Sequence, residues 1–519
     1  MALPPMGFQI FGGTEQSAAL GTNGSDLVVL DVGHPRQNAL ASLFGCADGG
    51  GPPGTGPDRF PPRAKAYWVV PGSVGREGRR LLRSPPSTSQ LDFDRLLVAG
   101  AFGFAGPPTV GVVLAWMSVS AYGLSTPDHA AYAAWALALL GVSATVPTLV
   151  MAFFSGTLAD RLNRRTVLRV SNGLALLAVA LLAVVFYLVP RTHVGAPGPS
   201  GFFVPEWFVW VLPLWALLAL TAALSRPTLN SSVPQVVSKE SLGRANGLLL
   251  TFGLVASGVG TLSVGFFLTP WGPVLTLLIP LGFFEVTAIA LGTLESDVTG
   301  ARVPSRRSFA SDMVEGLRYL GRRTGLLEIT LASLGINFFI AIASVEIPLY
   351  VDDWLLRGAV VLGVLTFVSS LGTAVGSSAV NAIRFDRSPG LYLALFVVLT
   401  GLSIILLPLT HSEYVAVGAI AAFGCFIGMF TTVYLVVIQR TVPNELLGRV
   451  FAADEVGSFA LIPAGQSVAG VITALRGLAF TYWVTGGSVA VLGGIMAGLG
   501  DLRRFAAGRD QLRSRAGPS

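Results

Sequence analysis

Long apolar runs separated by short polar breaks dominate the chain from residue 93 onward. A helix needs about 20 apolar residues to cross the hydrocarbon core of a bilayer. Twelve segments approach or exceed this length, near residues 95–123, 131–155, 167–190, 207–225, 245–268, 273–294, 327–350, 358–381, 390–408, 414–438, 453–475 and 479–500. Helix-stopping residues fill the breaks, as in STPDH at 125–129. The pattern predicts an all-α membrane protein with twelve transmembrane helices.

The first 92 residues follow a different pattern. They contain 26 Gly and Pro residues, near the level typical of low-complexity or disordered segments. No apolar run in them is long enough to cross a bilayer, and the start lacks the basic and apolar regions of a signal peptide. Residues 1–92 are therefore expected to be a disordered cytoplasmic extension or coding sequence upstream of the true start. A small regulatory domain is the alternative.

Composition supports a membrane protein over a large soluble one. The chain is 52% hydrophobic and 12% charged, whereas ordinary globular proteins carry about 25% charged residues. The net charge of +6 requires no nucleic acid as a partner. Two cysteines and four scattered histidines offer no metal-ligand spacing, and no nucleotide-binding loop is present. The sequence therefore predicts no metal, no cofactor and no enzyme.

Basic residues alternate between the two ends of the predicted helices. Loops that follow even-numbered helices hold 17 Lys and Arg residues, whereas the other loops hold three. Loops rich in Lys and Arg face the cytoplasm. Both termini and the long connection at 295–325 are thus predicted to be cytoplasmic, in a multi-pass protein of the cell membrane.

An internal repeat links the two halves of the chain at a constant offset of 205 residues. The lead-in ESLGR precedes the fifth helix and ELLGR precedes the eleventh. The matched pairs are Glu240 and Glu445, Gly243 and Gly448, Arg244 and Arg449, Gly260 and Gly465, and Gly265 and Gly470. The repeat predicts two pseudo-symmetric six-helix bundles, 93–294 and 326–500, joined by the cytoplasmic linker 295–325 and followed by a basic tail, 501–519. Parallel repeats of this kind place a substrate site near the midplane between the halves.

The stretch GTLADRLNRR at 156–165, after the second helix, resembles the signature loop of the major facilitator superfamily. Its matching residues are Gly156, Leu158, Ala159, Asp160, Arg161, Arg164 and Arg165, with Asn163 in place of a usual Gly. Asn tolerates a left-handed backbone better than other non-Gly residues, so the turn is expected to survive the change. The equivalent loop of the second half, 381–390, is degraded. The segments after Gly243 and Gly448 further resemble the branch that holds the enterobactin exporter and drug-efflux carriers.

The resemblance implies a cytoplasmic latch between the halves. Gly156 would let neighbouring helices approach closely, and the Asp160 carboxylate would meet the positive N-terminal end of the eleventh helix. Arg161 and Arg164 would reach Asp454 or Glu455 at that helix start. The alternative is that these charges, Arg165 included, serve only as signals for a basic cytoplasmic loop.

Ionisable groups within membrane helices are expensive and are functional candidates by default. Glu285 lies near the middle of the sixth predicted helix, and Glu346 lies towards the outer end of the seventh. A carboxyl that alternates between dry and wet surroundings takes up and releases a proton, so both are candidates for proton coupling or substrate contact. Asn337 is a candidate for lining the cavity. The alternative for each is a structural hydrogen bond or a misplaced span, and no arginine stands clearly in the middle of a predicted helix.

These features favour a secondary transporter: a proton-coupled exporter of amphiphilic small molecules that acts as a monomer in the lipid bilayer. Since few charges lie within the helices, the cargo is expected to be hydrophobic or cationic. A dedicated exporter of a metabolite such as a siderophore is an alternative. A non-transporting sensor or assembly module on a carrier fold is an alternative of another class.

Overall fold

The computed structural model describes residues 28–30, 68–70, 88–122, 129–161, 163–189, 207–237, 241–294, 309–322, 324–383 and 388–498. The chain divides into two compact units, Met1–Pro86 and Ser87–Ser519. In the first unit, strands β1 (Val28–Leu30) and β2 (Trp68–Val70) pair antiparallel. This pairing is not expected from the Gly- and Pro-rich sequence around it. Residues 88–92 of the predicted extension are helical, because the first helix of the second unit begins at Thr88. The rest of the predicted extension and the tail 501–519 lie outside the described residues.

Six helices form the first half of the second unit. They are α1 (Thr88–Ser120), α2 (His129–Arg161), α3 (Arg164–Leu188), α4 (Phe208–Val236), α5 (Leu242–Thr276) and α6 (Leu278–Gly292). Their exposed faces carry large apolar residues such as Val209, Trp210 and Leu278. Apolar residues on every side of a helix are typical of a helix surrounded by lipid.

The second half begins with the linker helix α7 (Phe309–Arg322). It continues with α8 (Thr324–Val345), α9 (Ala359–Ala379), α10 (Pro389–Leu406), α11 (Glu413–Thr441), α12 (Asn444–Phe459), α13 (Ile462–Arg476) and α14 (Leu478–Gly498). A short helical turn, Ile347–Leu349, and a π-helical turn, Tyr350–Trp354, extend α8. Helices α12 and α13 together form one crossing.

Eleven helices in the described part of the chain are long and apolar enough to cross a membrane. The sixth crossing is the exception, because Gly272 adopts φ 69°, ψ 171° inside α5 and breaks the helix there. A positive φ of this size favours Gly, and Pro273 then restarts the helix. Residues 273–292 therefore form the sixth crossing. The twelve predicted crossings and the all-helical membrane fold are confirmed.

The repeat in the sequence corresponds to equivalent packing in the two halves. A Cβ on Gly265 of α5 would lie 2.8 Å from the carbonyl oxygen of Ala359 in α9, whereas Gly470 of α13 packs against Ala138 of α2. Helices α9 and α2 are each the second crossing of their half. At the matched positions five residues earlier, Gly260 contacts α1 and Gly465 contacts α8, the first crossing of each half. The two halves are therefore pseudo-symmetric.

Helix α4 is longer than the sequence predicts. The prediction ended the fourth helix near residue 225. Pro227 and Pro234 lie beyond that point, and proline interrupts helical hydrogen bonding. In the structure α4 continues through both prolines to Val236. Prolines are tolerated in membrane helices when neighbouring groups satisfy the freed carbonyls. As a consequence Arg226 lies inside α4, although the predicted span ended one residue before it.

Replacing Gly265 with Ala is expected to destabilise the protein by about 1–3 kcal/mol, because the new Cβ would lie 2.8 Å from both the Ala359 carbonyl oxygen and the Gly363 Cα. Thermal unfolding of the purified protein measures the effect. The matched control is Gly282→Ala, where no atom lies within 4 Å of the new Cβ. It is expected to be neutral or slightly stabilising, since Ala favours a helix over Gly. Equal melting temperatures for the two variants would show that the halves do not meet at Gly265.

Candidate functional site

The two halves meet along two helix pairs, α5 with α9 and α2 with α13. In the first pair, Gly258 faces Phe367 and Ser370, and Gly363 approaches the backbone of Thr261 and Gly265. In the second pair, the small residues of α2 face Gly470. Small residues at a membrane-helix interface let the backbones approach closely. We call these two helix pairs the seams. A substrate site is expected in the space between them.

A hydrogen bond crosses between the halves near the membrane midplane. Thr145 is the central residue of the 33-residue helix α2, and its hydroxyl donates to Oε1 of Gln466 in α13 at 3.1 Å. Gly141 leaves room for the Gln466 side chain, since a Cβ there would lie 2.8 Å from its amide carbon. This polar contact joins the halves at the depth where cargo is expected to bind.

A contact between a histidine ring and a carboxylate joins the halves at the start of α2. Nε2 of His129, at the start of α2, lies 3.2 Å from Oδ2 of Asp352 in the π-helical turn after α8. His129 is 5% exposed and Asp352 is 16% exposed. The sequence analysis missed this pair, because the two residues are 223 positions apart and neither belongs to a motif.

Glu346 is fully buried at a break in the seventh crossing. Pro348 follows two residues later and ends the regular helix there. Thr473 of α13 and Tyr482 of α14 face the carboxyl. Thr473 shares a hydrogen bond of 2.9 Å with Thr481 and also interacts with the Glu346 carboxyl, whereas Tyr482 donates to the carbonyl of Ala343 at 3.3 Å. In the described part of the chain no partner lies in close hydrogen-bond geometry to either Glu346 oxygen.

Glu285 and Asn337 occupy different surroundings. Glu285 is exposed and shares one stripe of α6 with Leu278 and Ile289, which are 55% and 65% exposed. The opposite side of α6, with Phe284, packs on α1 and α3. Asn337 lies half-buried in α8 and donates to the Ser333 hydroxyl at 3.3 Å, one turn earlier in the same helix.

The arginines after the signature loop bind inside their own half. Arg164 donates to the carbonyl of Ser231 at 3.0 Å, Arg165 to the carbonyl of Leu294, and Arg169 to Leu291 at 3.0 Å. These bonds hold the start of α3 against the C-terminal ends of α4 and α6. Arg164 and Arg165 of the loop therefore stabilise the N-terminal half.

Asn163 does not adopt the left-handed conformation expected of a residue that replaces Gly. Its backbone is extended, at φ −65° and ψ 117°. The Asn163 side chain instead accepts a hydrogen bond of 2.9 Å from the backbone N–H of Arg165. Asn is among the preferred residues at a helix N-cap, where it satisfies a free N–H. The residue is tolerated because it caps α3.

Asp454 is 5% exposed and binds within the C-terminal half. It accepts hydrogen bonds from Thr330 of α8 at 2.8 Å, from Tyr434 of α11 and from Ser458 of α12. Helix α2, which carries Gly156, Asp160 and Arg161 in its last turns, packs against α12 and α7. The side chains of those residues lie outside the described part, so the pairing of Arg161 with Asp454 and the contact of Asp160 with the start of the eleventh crossing stay predictions.

The two repeated segments, which carry Arg244 in α5 and Arg449 in α12, have different surroundings. Arg449 of α12 donates to Glu315 of the linker helix α7 at 2.8 Å, and Gly316 lets the two helices cross at the Arg449 carbonyl. Arg244, after Gly243 in the first turn of α5, is exposed. Gly448 lies in α12 beside Arg449. The linker thus contacts the lead-in of the second half through an ion pair.

Arg226 was predicted to lie in a loop, and in the structure it lies inside α4. Its guanidinium carbon lies 4.7 Å from the ring centre of Phe104 in α1, a distance typical of a cation–π contact. No cluster of three or more His, Cys, Asp or Glu suited to a metal occurs among the described residues.

These features are matched by known proteins. The family model described as Major Facilitator Superfamily matches residues 96–465, well over half of the chain. The chain belongs to this superfamily. Among its relatives, multidrug efflux pump Tap of Mycobacterium tuberculosis is 28% identical over 357 residues, covering 66% of this chain and 79% of Tap. Enterobactin exporter EntS of Shigella boydii is 26% identical over 346 residues, covering 64% of this chain and 76% of EntS.

Solved structures of the superfamily share the fold. The xylose transporter XylE of E. coli aligns with a TM-score of 0.56 at 13% identity, covering 78% of this chain and 95% of XylE. A peptide transporter, POT, aligns with a TM-score of 0.62 at 13% identity, covering 80% of this chain and 95% of POT. The protein is therefore a multi-pass membrane transporter of the major facilitator fold.

Proposed function

We propose that this transporter exports amphiphilic small molecules across the cell membrane by alternating access, in exchange for protons. The relatives named as a multidrug efflux pump and as an enterobactin exporter support export of small molecules. The single observation that carries the proposal is the arrangement of the two halves. They meet along two seams of small residues, with few polar contacts, and such seams can separate and re-form.

The outer contact between His129 and Asp352 would close the external side while the cytoplasmic side is open. Rocking of the halves requires that this contact and the bond from Thr145 to Gln466 break together. A few polar contacts of this kind bias a two-state equilibrium by about 1–3 kcal/mol. That amount is small enough for cargo binding and protonation to reverse it.

Glu346 is the proposed proton-coupling carboxyl. An ionised carboxylate that is buried without a hydrogen-bond partner is costly, and a bound proton removes that cost. Glu346 lies at a helix break whose next turn, Ile347–Leu349, packs against α1 and α2 of the other half. Movement of the halves would therefore change the hydration of Glu346. Glu285, which faces outward beside Leu278 and Ile289, has no comparable link to the interface.

The signature loop is the proposed cytoplasmic latch. Because α2 packs against both α12 and the linker helix α7, its last turns lie where the two halves and the linker converge. Asp160 would close this side by facing the start of α12. The ion pair of Glu315 with Arg449 would then transmit the position of α12 to the linker.

We also propose that the protein functions as a monomer with both termini in the cytoplasm. Transport is proposed to involve no enzymatic step. The expectation of hydrophobic or cationic cargo depended on the small number of charges within the predicted helices. Arg226 inside α4 weakens that expectation and favours a second candidate function, export of a dedicated anionic metabolite.

The proposal is tested by dye efflux from energised cells, with and without collapse of the proton gradient. Glu346→Gln is expected to abolish gradient-driven efflux, because the amide cannot exchange a proton. Glu285→Gln is the matched control, since it removes the same charge from an outward-facing position, and it is expected to keep at least half of the efflux. Loss of efflux in Glu285→Gln but not in Glu346→Gln would make Glu285 the coupling carboxyl. Efflux that is unchanged when the proton gradient is collapsed would contradict proton coupling.

Asp160→Asn is expected to lower the transport rate about tenfold at equal amounts of protein in the membrane, because cytoplasmic closure would lose about 1.4 kcal/mol. The control is Glu413→Gln, which removes an exposed partner of Arg357 at the outer surface. Exposed pairs contribute little, so this variant should transport normally. If Asp160→Asn also transports normally, the loop has no latch function.

A further inference from the structure

Arg226 lies deep within the membrane-spanning part of α4. The helix has 29 residues from Phe208 to Val236, and Arg226 is four residues from its centre. At 1.5 Å per residue, this is about 6 Å from the helix midpoint. The hydrocarbon core is about 30 Å thick, shorter than this helix, and Arg226 lies within the core for every placement that keeps the core inside α4. An arginine at this depth is expensive unless it faces a polar cavity or a partner.

The Arg226 side chain faces inward. Val209 and Trp210, which are 68% and 61% exposed, mark the outward face at the other end of α4. With 3.6 residues per turn, Arg226 lies roughly 100° around the helix from Val209 and roughly 160° from Trp210. The guanidinium instead covers Phe104, the central residue of the 33-residue helix α1.

Phe104 places the guanidinium next to the interface between the halves. Gly253 of α5 approaches the Phe104 ring, since a Cβ there would lie 3.5 Å from a ring carbon. Helix α1 contacts α9 and the turn after α8 across the interface, and α5 packs along α9. Arg226 itself is exposed, as is Asn230 one turn later on the same face. A cation, an aromatic ring and an amide thus occupy one inward-facing surface.

We propose that Arg226 and Phe104 form the binding site for the acidic group of the cargo. The cargo class is a small molecule with an aromatic or apolar body and a carboxylate or phenolate group. The planar guanidinium offers several N–H donors in a fork that fits a carboxylate. Phe104 holds the guanidinium plane by a cation–π contact and offers apolar surface to the body of the cargo. This assignment depends on the proposed function, since it names the cargo that the exporter carries.

The test compares two dyes with the same xanthene core: fluorescein, which is anionic, and rhodamine 123, an ester that is cationic. Binding to the purified full-length protein in lipid nanodiscs is measured by fluorescence anisotropy. Arg226→Gln is expected to weaken fluorescein binding about tenfold or more and to change rhodamine 123 binding less than twofold. Arg226→Lys keeps the charge but loses the fork, so an intermediate loss is expected. Phe104→Leu is expected to weaken fluorescein binding while leaving the cation in place.

Arg476→Gln is the control, because it removes an exposed arginine at the outer end of α13 and should leave both affinities unchanged. Equal loss of both dyes in Arg226→Gln would show a structural role and overturn the inference. Unchanged fluorescein binding in that variant would overturn it too. The inference would also be overturned if the folded wild-type protein did not bind fluorescein, whether or not it binds rhodamine 123.

Transport of the same dyes in proteoliposomes with an imposed pH gradient separates the two proposals. Fluorescein that binds through Arg226 but is not moved by the gradient would leave the site standing and contradict the exporter. Gradient-driven fluorescein transport that Arg226→Gln leaves unchanged would support the exporter and contradict the site.

Discussion

The lipid around this protein removes the hydrophobic effect as a force between its helices, and the structure depends on that constraint. Lipid tails are as apolar as Leu, so two helices gain little by leaving lipid for each other. Close backbone approach and a few polar contacts must hold the halves together. The approach of Gly265 to Gly363 and Ala359, and of Gly470 to α2, meets this need. The same contacts are weak enough to be exchanged for others, as a carrier that rocks between two states requires.

The same constraint determines where polar side chains lie. An unpaired polar group costs more in hydrocarbon than at a wet surface, so each one is placed by what surrounds it. Three hydroxyl groups surround Asp454 inside one half. Glu346 is enclosed without such a partner, and Arg226 covers an aromatic ring at the depth of the helix centres. These three environments indicate three different roles: structural support, proton binding and cargo recognition.

Much of the fold could be predicted from the sequence, because hydropathy and the distribution of arginine reflect the membrane directly. The offset of 205 residues also predicted which glycines would occupy equivalent positions. Residue environments were harder to predict. The fourth helix was predicted to end near residue 225, which placed Arg226 in a loop, since no pattern in one segment shows that neighbouring helices accommodate a proline. Asn163 was expected in a left-handed turn, and it caps a helix instead. The contact of His129 with Asp352 joins distant segments, so only the assembled helices reveal it.

The central claim is that the two halves separate at their outer contact during transport, and cross-linking tests it most directly. In a background with Cys46→Ser and Cys425→Ser, the pair His129→Cys and Asp352→Cys would be joined by a short bifunctional thiol reagent that a reductant can cleave. The account predicts that transport stops on cross-linking and returns on cleavage. The pair Arg357→Cys and Glu413→Cys, which lies within one half at an N–O distance of 2.8 Å, should transport equally before and after cross-linking. Undiminished transport by a fully cross-linked His129–Asp352 pair would contradict the account.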